Sequence, residues 1–241
     1  MLFNYFHNTA IHNTRAGEEV LPYLFELFKP KSIVDIGCGT GSWLSVAKKL
    51  GAKVKGIDGN YIDKNMLCID DSEFQLHDLT LPFFFEQKYD LAISLEVVEH
   101  LHESSAETIV KTLTDASDII LFSAAIPNQG GQNHINEQWP NYWQKHFAKE
   151  GYHPVDILRP KFWDTPKVEW WYKQNMLLYT TKEKIEIFGL QESKNLLSIV
   201  HPELLSIKCS QIEKLNKIVE ENIDKPKFTQ SLKSLIKSII K

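Results

Sequence analysis

The sequence predicts a doubly wound, Rossmann-like α/β fold, in which helices cover both faces of a mostly parallel sheet. Short apolar runs alternate with helical patterns up to about residue 180. A glycine-rich turn follows the first of these runs, between a predicted strand and a predicted helix. Beyond Thr181 only helical patterns remain.

The elements follow in order along the chain. The first predicted strand, 32–35 (SIVD), ends in the glycine cluster, and a helix is expected over 41–50. Ser104 and Glu107 have capping-box spacing, which predicts that a helix begins there. The remaining predicted strands are 53–58, 73–77, 89–94, 118–123, 154–158 and 175–179, of which the last two should pair at the sheet edge.

The change of pattern near residue 180 predicts the domain organisation. We expect one domain over 1–180, with residues 1–30 as an N-terminal helix or lid, and a helical extension over 181–241. Residues 231–241 combine lysines with apolar residues at helical spacing. A basic amphipathic helix of this kind is compatible with a membrane surface. We favour its packing on the domain or on a second copy of the chain, in a homo-oligomer.

Composition and charge exclude several classes of protein. The 241 residues are 43% hydrophobic and 24% charged, as in ordinary soluble domains. Lys and Arg total 27 against 31 for Asp and Glu, a net charge of −4, so no nucleic-acid partner is expected. Three scattered cysteines make no disulfide framework. The N-terminal residues lack a signal-peptide pattern and no apolar run reaches 18 residues, which indicates a cytoplasmic protein with no transmembrane segment.

The glycine-rich turn, Val34 to Gly41 (VDIGCGTG), predicts a cofactor site. Its alternating glycines let the backbone approach a ligand closely, and the following helix presents free N–H groups. Such turns bind either dinucleotides or S-adenosylmethionine. Ser42 stands where the dinucleotide pattern has its third glycine, and Asp35 is placed to hold an amino-acid ammonium group.

Two further acids follow the next two strands. Asp58 ends KVKGID, a position suited to a ribose diol, and Asp78 ends EFQLHD, where it would accept the adenine amino group. An acid after the second strand also fits NAD, whereas one after the third has no special place there. The ordered acids therefore favour S-adenosylmethionine.

With VDIGCGTG, GIDG, HDL and DLAISLEVVEHL in this order, the chain resembles the class I S-adenosylmethionine-dependent methyltransferases over residues 30–180. The resemblance implies a seven-stranded sheet whose last strand is antiparallel. It also implies a set of cofactor-binding residues: Asp35, Gly37, Cys38, Gly39, Gly41, Trp43, Asp58, Gly59, Asp78, Leu79 and Leu95.

The ExxEH segment follows the fourth strand, beside the expected cofactor cleft. If this turn is helical, Glu96, Glu99 and His100 share one face and would bind a divalent ion, with Mg²⁺ or Mn²⁺ favoured by the oxygen ligands. The motif is similar to the metal sites of ubiquinone-pathway O-methyltransferases and of plant-type small-RNA 3′-terminal 2′-O-methyltransferases. The latter resemblance implies His134, in the segment HINEQW, as a fourth ligand.

A metal-free alternative stays open. Methyltransferases without a known metal also carry ExxEH, with the first glutamate beside the cofactor and the histidine in the core. In that case His134 is the best general base. The predicted catalytic residues are His134, Glu99 and His100, and the predicted metal ligands are Glu96, Glu99, His100 and His134.

The acceptor is expected beyond the fifth strand, where Gln129 to Gln132 (QGGQ) lie. Five of the six tryptophans fall between residues 139 and 171, and aromatic walls with one guanidinium suit a sugar or a nucleotide. Trp139, Tyr142, Arg159 and Trp170 are the predicted substrate-binding residues.

Three stretches between Gly130 and Tyr179 (GGQNHINEQWPNYW, GYHPVDILRP and VEWWYKQNMLLY) also resemble bacterial methyltransferases of surface-polysaccharide and capsule biosynthesis. The sequence thus predicts an O-methyltransferase for a small carbohydrate-type acceptor, or for a nucleotide-activated precursor with a phosphate or phosphoramidate oxygen. An RNA 2′-O-methyltransferase, a non-catalytic cofactor-binding subunit and, more remotely, a nicotinamide oxidoreductase are the alternatives.

Overall fold

The structure, a computed structural model, describes residues 13–222. Two predictions fall outside the described residues: the lid formed by the first residues, and the amphipathic helix over 231–241 with the oligomer contact assigned to it.

Seven strands form one sheet in the order β3-β2-β1-β4-β5-β7-β6. Strands β1 to β5 are parallel, and β7 runs antiparallel to both β5 and β6. This arrangement confirms the predicted doubly wound sheet with a reversed last strand. The strands are β1 (Ser32–Ile36), β2 (Lys53–Asp58), β3 (Phe74–Leu76), β4 (Leu91–Leu95), β5 (Ile119–Ser123), β6 (Tyr152–Val155) and β7 (Leu177–Thr181).

Eight α-helices and four short 3₁₀ turns are described between residues 13 and 222. The helices are α1 (Arg15–Phe28), α2 (Ser42–Lys49), α3 (Ala106–Ala116), α4 (Pro140–Lys149), α5 (Leu158–Phe162), α6 (Trp170–Asn175), α7 (Lys182–Ile187) and α8 (Pro202–Asn222). The 3₁₀ turns are Lys64–Met66, Asp71–Glu73, Val98–His100 and Glu103–Ser105.

Two apolar layers, one on each face of the sheet, stabilise the fold. Neighbouring residues of each central strand face opposite layers, as Ile33 and Val34 of β1 do. One layer includes apolar residues of α1, α2 and α5, and the other includes those of α3 and α4. The central strands are thus buried on both faces, which explains their continuous apolar runs.

Some helix and strand boundaries differ from the predicted ones. The capping box was wrong: a 3₁₀ turn covers Glu103–Ser105, and α3 begins at Ala106 without a side-chain cap. The late strands lie at 152–155 and 177–181, so Leu158 begins α5 and Asn175 ends α6 instead.

The chain divides between Ile199 and Val200 into two compact units. The segment after β7 belongs to the first unit because Ile185 and Phe188 pack against its core, and the Ser193 N–H donates to the Pro154 carbonyl at 2.8 Å. The second unit contains α8. Among residues 13–222, no helix has the length and apolar character needed to cross a bilayer.

Candidate active site

A cavity of about 950 Å³ opens at the carboxyl ends of the parallel strands. Asp35 of β1, Asp58 of β2, Leu76 of β3 and Leu95 of β4 all line it, and Gln129 reaches it from the segment after β5. Ligands of open α/β sheets bind at this edge, where the loops leave the sheet. The topology thus gathers residues that are distant in sequence around one chamber.

The glycine-rich turn forms the chamber's floor between β1 and α2. Gly37, Cys38 and Gly39 line the cavity, as does Trp43 of α2, whereas Gly41 is the N-cap residue of α2 and does not line it. Gly37 has a φ of +88°, and a Cβ there would lie 2.4 Å from Cγ2 of Val97. Only glycine meets both conditions without strain.

Asp35 and Asp58 are buried in this floor, with 4% and 2% of their surfaces exposed. Burial, and then the nearby charge of Asp58, raise the pKa of Asp35 well above its usual value. A cation bound beside Asp35 would restore the charged form. The pair therefore suits a ligand that carries an ammonium or sulfonium group.

The carboxylate of Asp58 already has protein partners. Its Oδ2 accepts a 2.6 Å hydrogen bond from Gly39 N, and its Oδ1 accepts from Gly59 N at 2.6 Å and from the hydroxyl of Tyr61. Gly59 and Tyr61 also line the cavity. A ribose diol bound here would contact a carboxylate that the N–H groups of Gly39 and Gly59 hold in place.

Asp78 and Leu79 line the cavity beyond β3. The hydroxyl and N–H of Thr80 both donate to Asp78, at 2.7 and 3.0 Å, and lower its pKa. Asp78 is exposed, whereas Leu79 is buried. An ionised acid beside an apolar side chain is the arrangement that the adenine prediction requires.

The ExxEH segment is not a continuous helix. Glu96 follows β4 with a left-handed backbone (φ +54°), and only Val98–His100 form a 3₁₀ turn. The predicted shared face is therefore wrong, because the spacing of Glu96 to Glu99 is not helical. A left-handed non-glycine residue at a cavity is a strained position that the surrounding contacts maintain.

A network of carboxamides holds Glu96 at the cavity wall. Gln129 donates to its Oε2 at 2.7 Å, and Asn175 donates to its Oε1 at 3.0 Å. Asn175 also donates to Oε1 of Gln129 at 2.9 Å, and the carboxamide of Gln174 donates to the same oxygen at 3.2 Å. Burial raises the pKa of Glu96, while these hydrogen bonds oppose the rise.

Three of the four predicted ligands form a compact cluster. Glu99, His100 and His134 each offer a donor atom, and these atoms lie within 4.8 Å of one another. The two imidazole rings meet edge to face, 4.9 Å apart. Glu96 is not a member of this group: its carboxylate accepts hydrogen bonds from Gln129 and Asn175, although it lies near enough to Glu99 to raise the pKa of that acid.

Glu99 is the most unusual member of the cluster. It has no exposed surface, and neither carboxylate oxygen has a hydrogen-bond partner of ordinary geometry within residues 13–222. Burial, and then the Glu96 carboxylate, raise its pKa well above the usual value. Burial, and then the charge of His134, lower the pKa of His100 to about 4. A cation bound among these three residues would stabilise the ionised form of Glu99.

The predicted substrate residues are only partly brought together. Trp170 lines the cavity, together with Trp171 and Tyr172. Trp139 precedes α4 and Tyr142 packs edge to face on Trp143, and neither lines the cavity.

The structure places Arg159, a predicted substrate residue, away from the cavity lining. Only 2% of its surface is exposed, and its guanidinium donates to both oxygens of Asp156 at 3.0 and 2.6 Å and to the Leu197 carbonyl at 2.9 Å. These bonds fasten the chain after β7 to α5. Arg159 is therefore a structural residue.

Sequence reasoning missed several residues that shape the site. Gln129 and Asn175 hold Glu96, Tyr61 holds Asp58, and Glu137 holds His134 through Nδ1 at 2.9 Å. The three-residue spacing of His134 and Glu137 was visible in the sequence. Asn175 lies 79 residues from Glu96, and no local pattern connects them.

The sheet topology and the chamber at its carboxyl edge define a Rossmann-like α/β methyltransferase fold. The chain belongs to the methyltransferase-domain family, which matches residues 9–153. Two curated relatives are methyltransferases by name. A probable chloroplastic tocopherol O-methyltransferase from Oryza sativa subsp. japonica is 37% identical over 82 residues, 30% of this chain. The ribosomal protein L11 methyltransferase of Dictyoglomus thermophilum is 32% identical over 102 residues, 39% of this chain. The matches span only 23% and 32% of those two proteins.

Solved structures show the same fold. Streptomyces venezuelae DesVI matches with a TM-score of 0.54 and 12% identity, over 73% of this chain and all of that one. The plantazolicin methyltransferase BpumL, solved with S-adenosylhomocysteine, matches with a TM-score of 0.51 and 17% identity, over 73% of this chain and 87% of its own. At these identities the likeness concerns the fold alone.

Proposed function

We propose that this protein is an S-adenosylmethionine-dependent O-methyltransferase for a small, hydroxyl-bearing acceptor of carbohydrate type. One observation carries the proposal: the cofactor acids of β1 to β3 and the cluster of Glu99, His100 and His134 line one chamber. A methyl donor and an activating group for an oxygen nucleophile would therefore meet within it.

The cofactor half rests on the order of the acids. Asp35 faces the expected amino-acid end, Asp58 the ribose and Asp78 with Leu79 the adenine. Each lies at the end of a successive strand in the same chamber. S-adenosylmethionine carries a sulfonium and an ammonium group, and the buried carboxylates complement both.

The cluster also fits a divalent ion. Two imidazoles and one carboxylate are a common set of ligands, and a bound cation would stabilise the ionised form of the fully buried Glu99 carboxyl group. A bound Mg²⁺ or Mn²⁺ would lower the pKa of an acceptor hydroxyl and orient it. We propose Glu99, His100 and His134 as the residues that hold it.

The charge of the chamber distinguishes the acceptor classes. Within residues 13–222, every acidic or basic side chain lining it, apart from histidines, is a carboxylate: Asp35, Asp58, Asp78, Glu96 and Glu99. Among the described residues that line the chamber there is no lysine or arginine to bind a phosphate or phosphoramidate group or the backbone of RNA. An uncharged hydroxyl is favoured, with any phosphate of an activated precursor outside the chamber.

The remaining chemistry is positioning by the chain itself. Displacement at a sulfonium methyl requires the acceptor oxygen in line with the leaving sulfur and water kept out. Trp170 and Trp171 provide apolar faces for a sugar ring, and Gln132 and Asn133 provide carboxamides for its hydroxyls. In a metal-free reaction, His134 would accept the hydroxyl proton. A surface-polysaccharide precursor is the biological acceptor we propose, on the sequence resemblance alone.

Calorimetry with metal-stripped protein tests both halves of the site. S-adenosylhomocysteine is titrated first, followed by Mn²⁺, into wild type, Glu99→Gln and His134→Ala. The matched control is His153→Ala, whose imidazole contacts Glu192 at 3.0 Å away from the chamber lining. We expect cofactor binding in all four proteins and Mn²⁺ binding in wild type and the control only.

The other results are equally informative. Cofactor binding without Mn²⁺ binding in wild type would refute the metal and leave His134 as the base. Failure of wild type to bind S-adenosylhomocysteine would refute the methyltransferase proposal. Formation of S-adenosylhomocysteine from S-adenosylmethionine is then followed with neutral glycosides, their phosphorylated forms and RNA. Preference for phosphorylated sugars or RNA would refute the proposed acceptor class.

A further inference from the structure

The carboxylate of Glu137 binds three groups of the loop that carries His134. Its Oε1 accepts from Gly130 N at 2.7 Å and contacts Nδ1 of His134 at 2.9 Å. Its Oε2 accepts from Asn128 N at 2.6 Å. A single side chain, that of Glu137, thus holds the backbone at Asn128 and Gly130 and the imidazole of His134.

The contact between Glu137 and Nδ1 of His134 selects between the two neutral forms of the imidazole. An ionised carboxylate only accepts hydrogen bonds, so Nδ1 of His134 must carry the proton. Nε2 then keeps its lone pair. A Cβ at Gly131 would lie 2.1 Å from Nε2, so a glycine at this position leaves that nitrogen room. The Glu137 contact thus orients the ring at Nδ1, and Gly131 leaves space beside Nε2.

The loop itself is built to bring Glu137 and His134 together. Asn128 and Asn133 have left-handed backbones, with φ of +67° and +59°, which asparagine tolerates better than most residues. The N–H groups of Ile135 and Asn136 both donate to the Glu99 carbonyl, at 2.8 and 3.0 Å. His134 is therefore tied to the ExxEH segment by main-chain bonds and oriented by Glu137.

We propose that Glu137 is a positioning residue that holds His134 in the Nδ1–H form and so presents Nε2 to the cluster. The inference rests on the proposed function in one respect, since it assigns His134 a role in the chamber. A carboxylate that orients a ligating or basic histidine typically changes metal affinity or activity by about 10- to 100-fold when it is removed.

Nitrogen-15 NMR of the imidazoles tests the proposal without an acceptor or a metal. Long-range ¹H–¹⁵N correlation spectra are recorded on full-length wild type, Glu137→Ala and Glu137→Gln in EDTA at pH 8.5, with His134 assigned by its loss in His134→Ala. We expect the Nδ1–H pattern in wild type and mixed forms in Glu137→Ala. Glu137→Gln should retain the pattern, because its remaining oxygen still accepts from Nδ1.

Glu192→Ala is the matched control, since Glu192 contacts Nδ1 of His153 at 3.0 Å in the same way. It should change the His153 pattern and leave that of His134 unchanged. Where wild type binds Mn²⁺, Glu137→Ala should weaken binding by about 10- to 100-fold, with S-adenosylhomocysteine affinity changed less than about twofold.

Three results would overturn the positioning role. They are an Nε2–H pattern for His134 in wild type, an unchanged pattern in Glu137→Ala, and an altered His134 pattern in Glu192→Ala. The NMR readout also separates the two proposals. A correct His134 pattern in a protein that transfers no methyl group supports the positioning role and refutes the enzyme function instead.

Discussion

Replacing Asp35 with asparagine should have opposite effects on stability and on cofactor affinity. Asp35 is 4% exposed, and burial followed by the charge of Asp58 raises its pKa well above the usual value. The ligand-free protein therefore carries an acid that resists ionisation. Asparagine keeps the shape of the side chain but exchanges no proton.

The sign of the stability effect follows from proton linkage. Because the folded protein binds the Asp35 proton more tightly than the unfolded chain, unfolding releases a proton between the ordinary and the raised pKa. Across that window the stability of wild type falls by about 1.4 kcal/mol per pH unit as the pH rises, and above it the loss is complete. Asp35→Asn lacks this pH-dependent loss. The unfolding free energy of the variant should therefore increase relative to that of wild type from pH 5 to pH 8.

The cofactor effect has the other sign. A bound ammonium group needs the charged carboxylate, and a hydrogen bond between charged groups contributes about 1.5–3 kcal/mol. Asp35→Asn should thus bind S-adenosylhomocysteine about 10- to 150-fold more weakly at pH 8. The affinity of wild type should fall as the pH is lowered, and that of the variant should change little.

Denaturant unfolding of the ligand-free proteins and calorimetric titration, each at pH 5, 6.5 and 8, measure both effects. Asp164→Asn, at an exposed aspartate, is the control for a general change of charge. A loss of stability of Asp35→Asn relative to wild type as the pH rises would refute the raised pKa of Asp35. Undiminished cofactor affinity at pH 8 would refute the ammonium contact.

Three further substitutions test the chamber and its support. Gly131→Ala would place a Cβ 2.1 Å from Nε2 of His134, so methyl transfer should fall at least about tenfold while calorimetry shows unchanged cofactor binding; unaffected turnover would contradict the position of the ring. Gly37→Ala meets Val97 at 2.4 Å with φ at +88°, and denaturant unfolding should show a loss of about 2–4 kcal/mol. Gly151→Ala, with φ at +80° and no atom within 4 Å of the added Cβ, is its control, and an equal loss there would show that crowding by Val97 adds nothing. Arg159→Ala removes a buried ion pair and should cost about 2–4 kcal/mol of unfolding free energy without changing cofactor affinity in the folded protein; weakened binding would return Arg159 to the site.

The fold and the gathering of the three strand-end acids in one chamber were predictable because they depend on local patterns. A buried strand, a glycine turn and an acid at each strand end occupy a few consecutive residues, and parallel topology brings such ends together. Asp35, Asp58 and Asp78 could therefore be placed in one chamber from their positions along the chain.

The acceptor half was predicted less well because it depends on distant contacts and on one backbone angle. A helical turn at ExxEH was expected to make Glu96 a metal ligand, but Glu96 has a left-handed φ and its carboxylate accepts a hydrogen bond from Asn175, 79 residues away. Arg159 was assigned to substrate from its residue type, whereas Asp156, three residues before it, neutralises it in the core. Neither the backbone angle nor the ion pair follows from spacing alone.

Glu99 contributes both its side chain and its main-chain carbonyl to the structure of the site. Its carbonyl accepts from Ile135 N and Asn136 N, so the loops after β4 and β5 stay joined whichever side chain occupies position 99. The acid at position 99 can therefore be exchanged without loss of the two main-chain hydrogen bonds that hold the His134 loop.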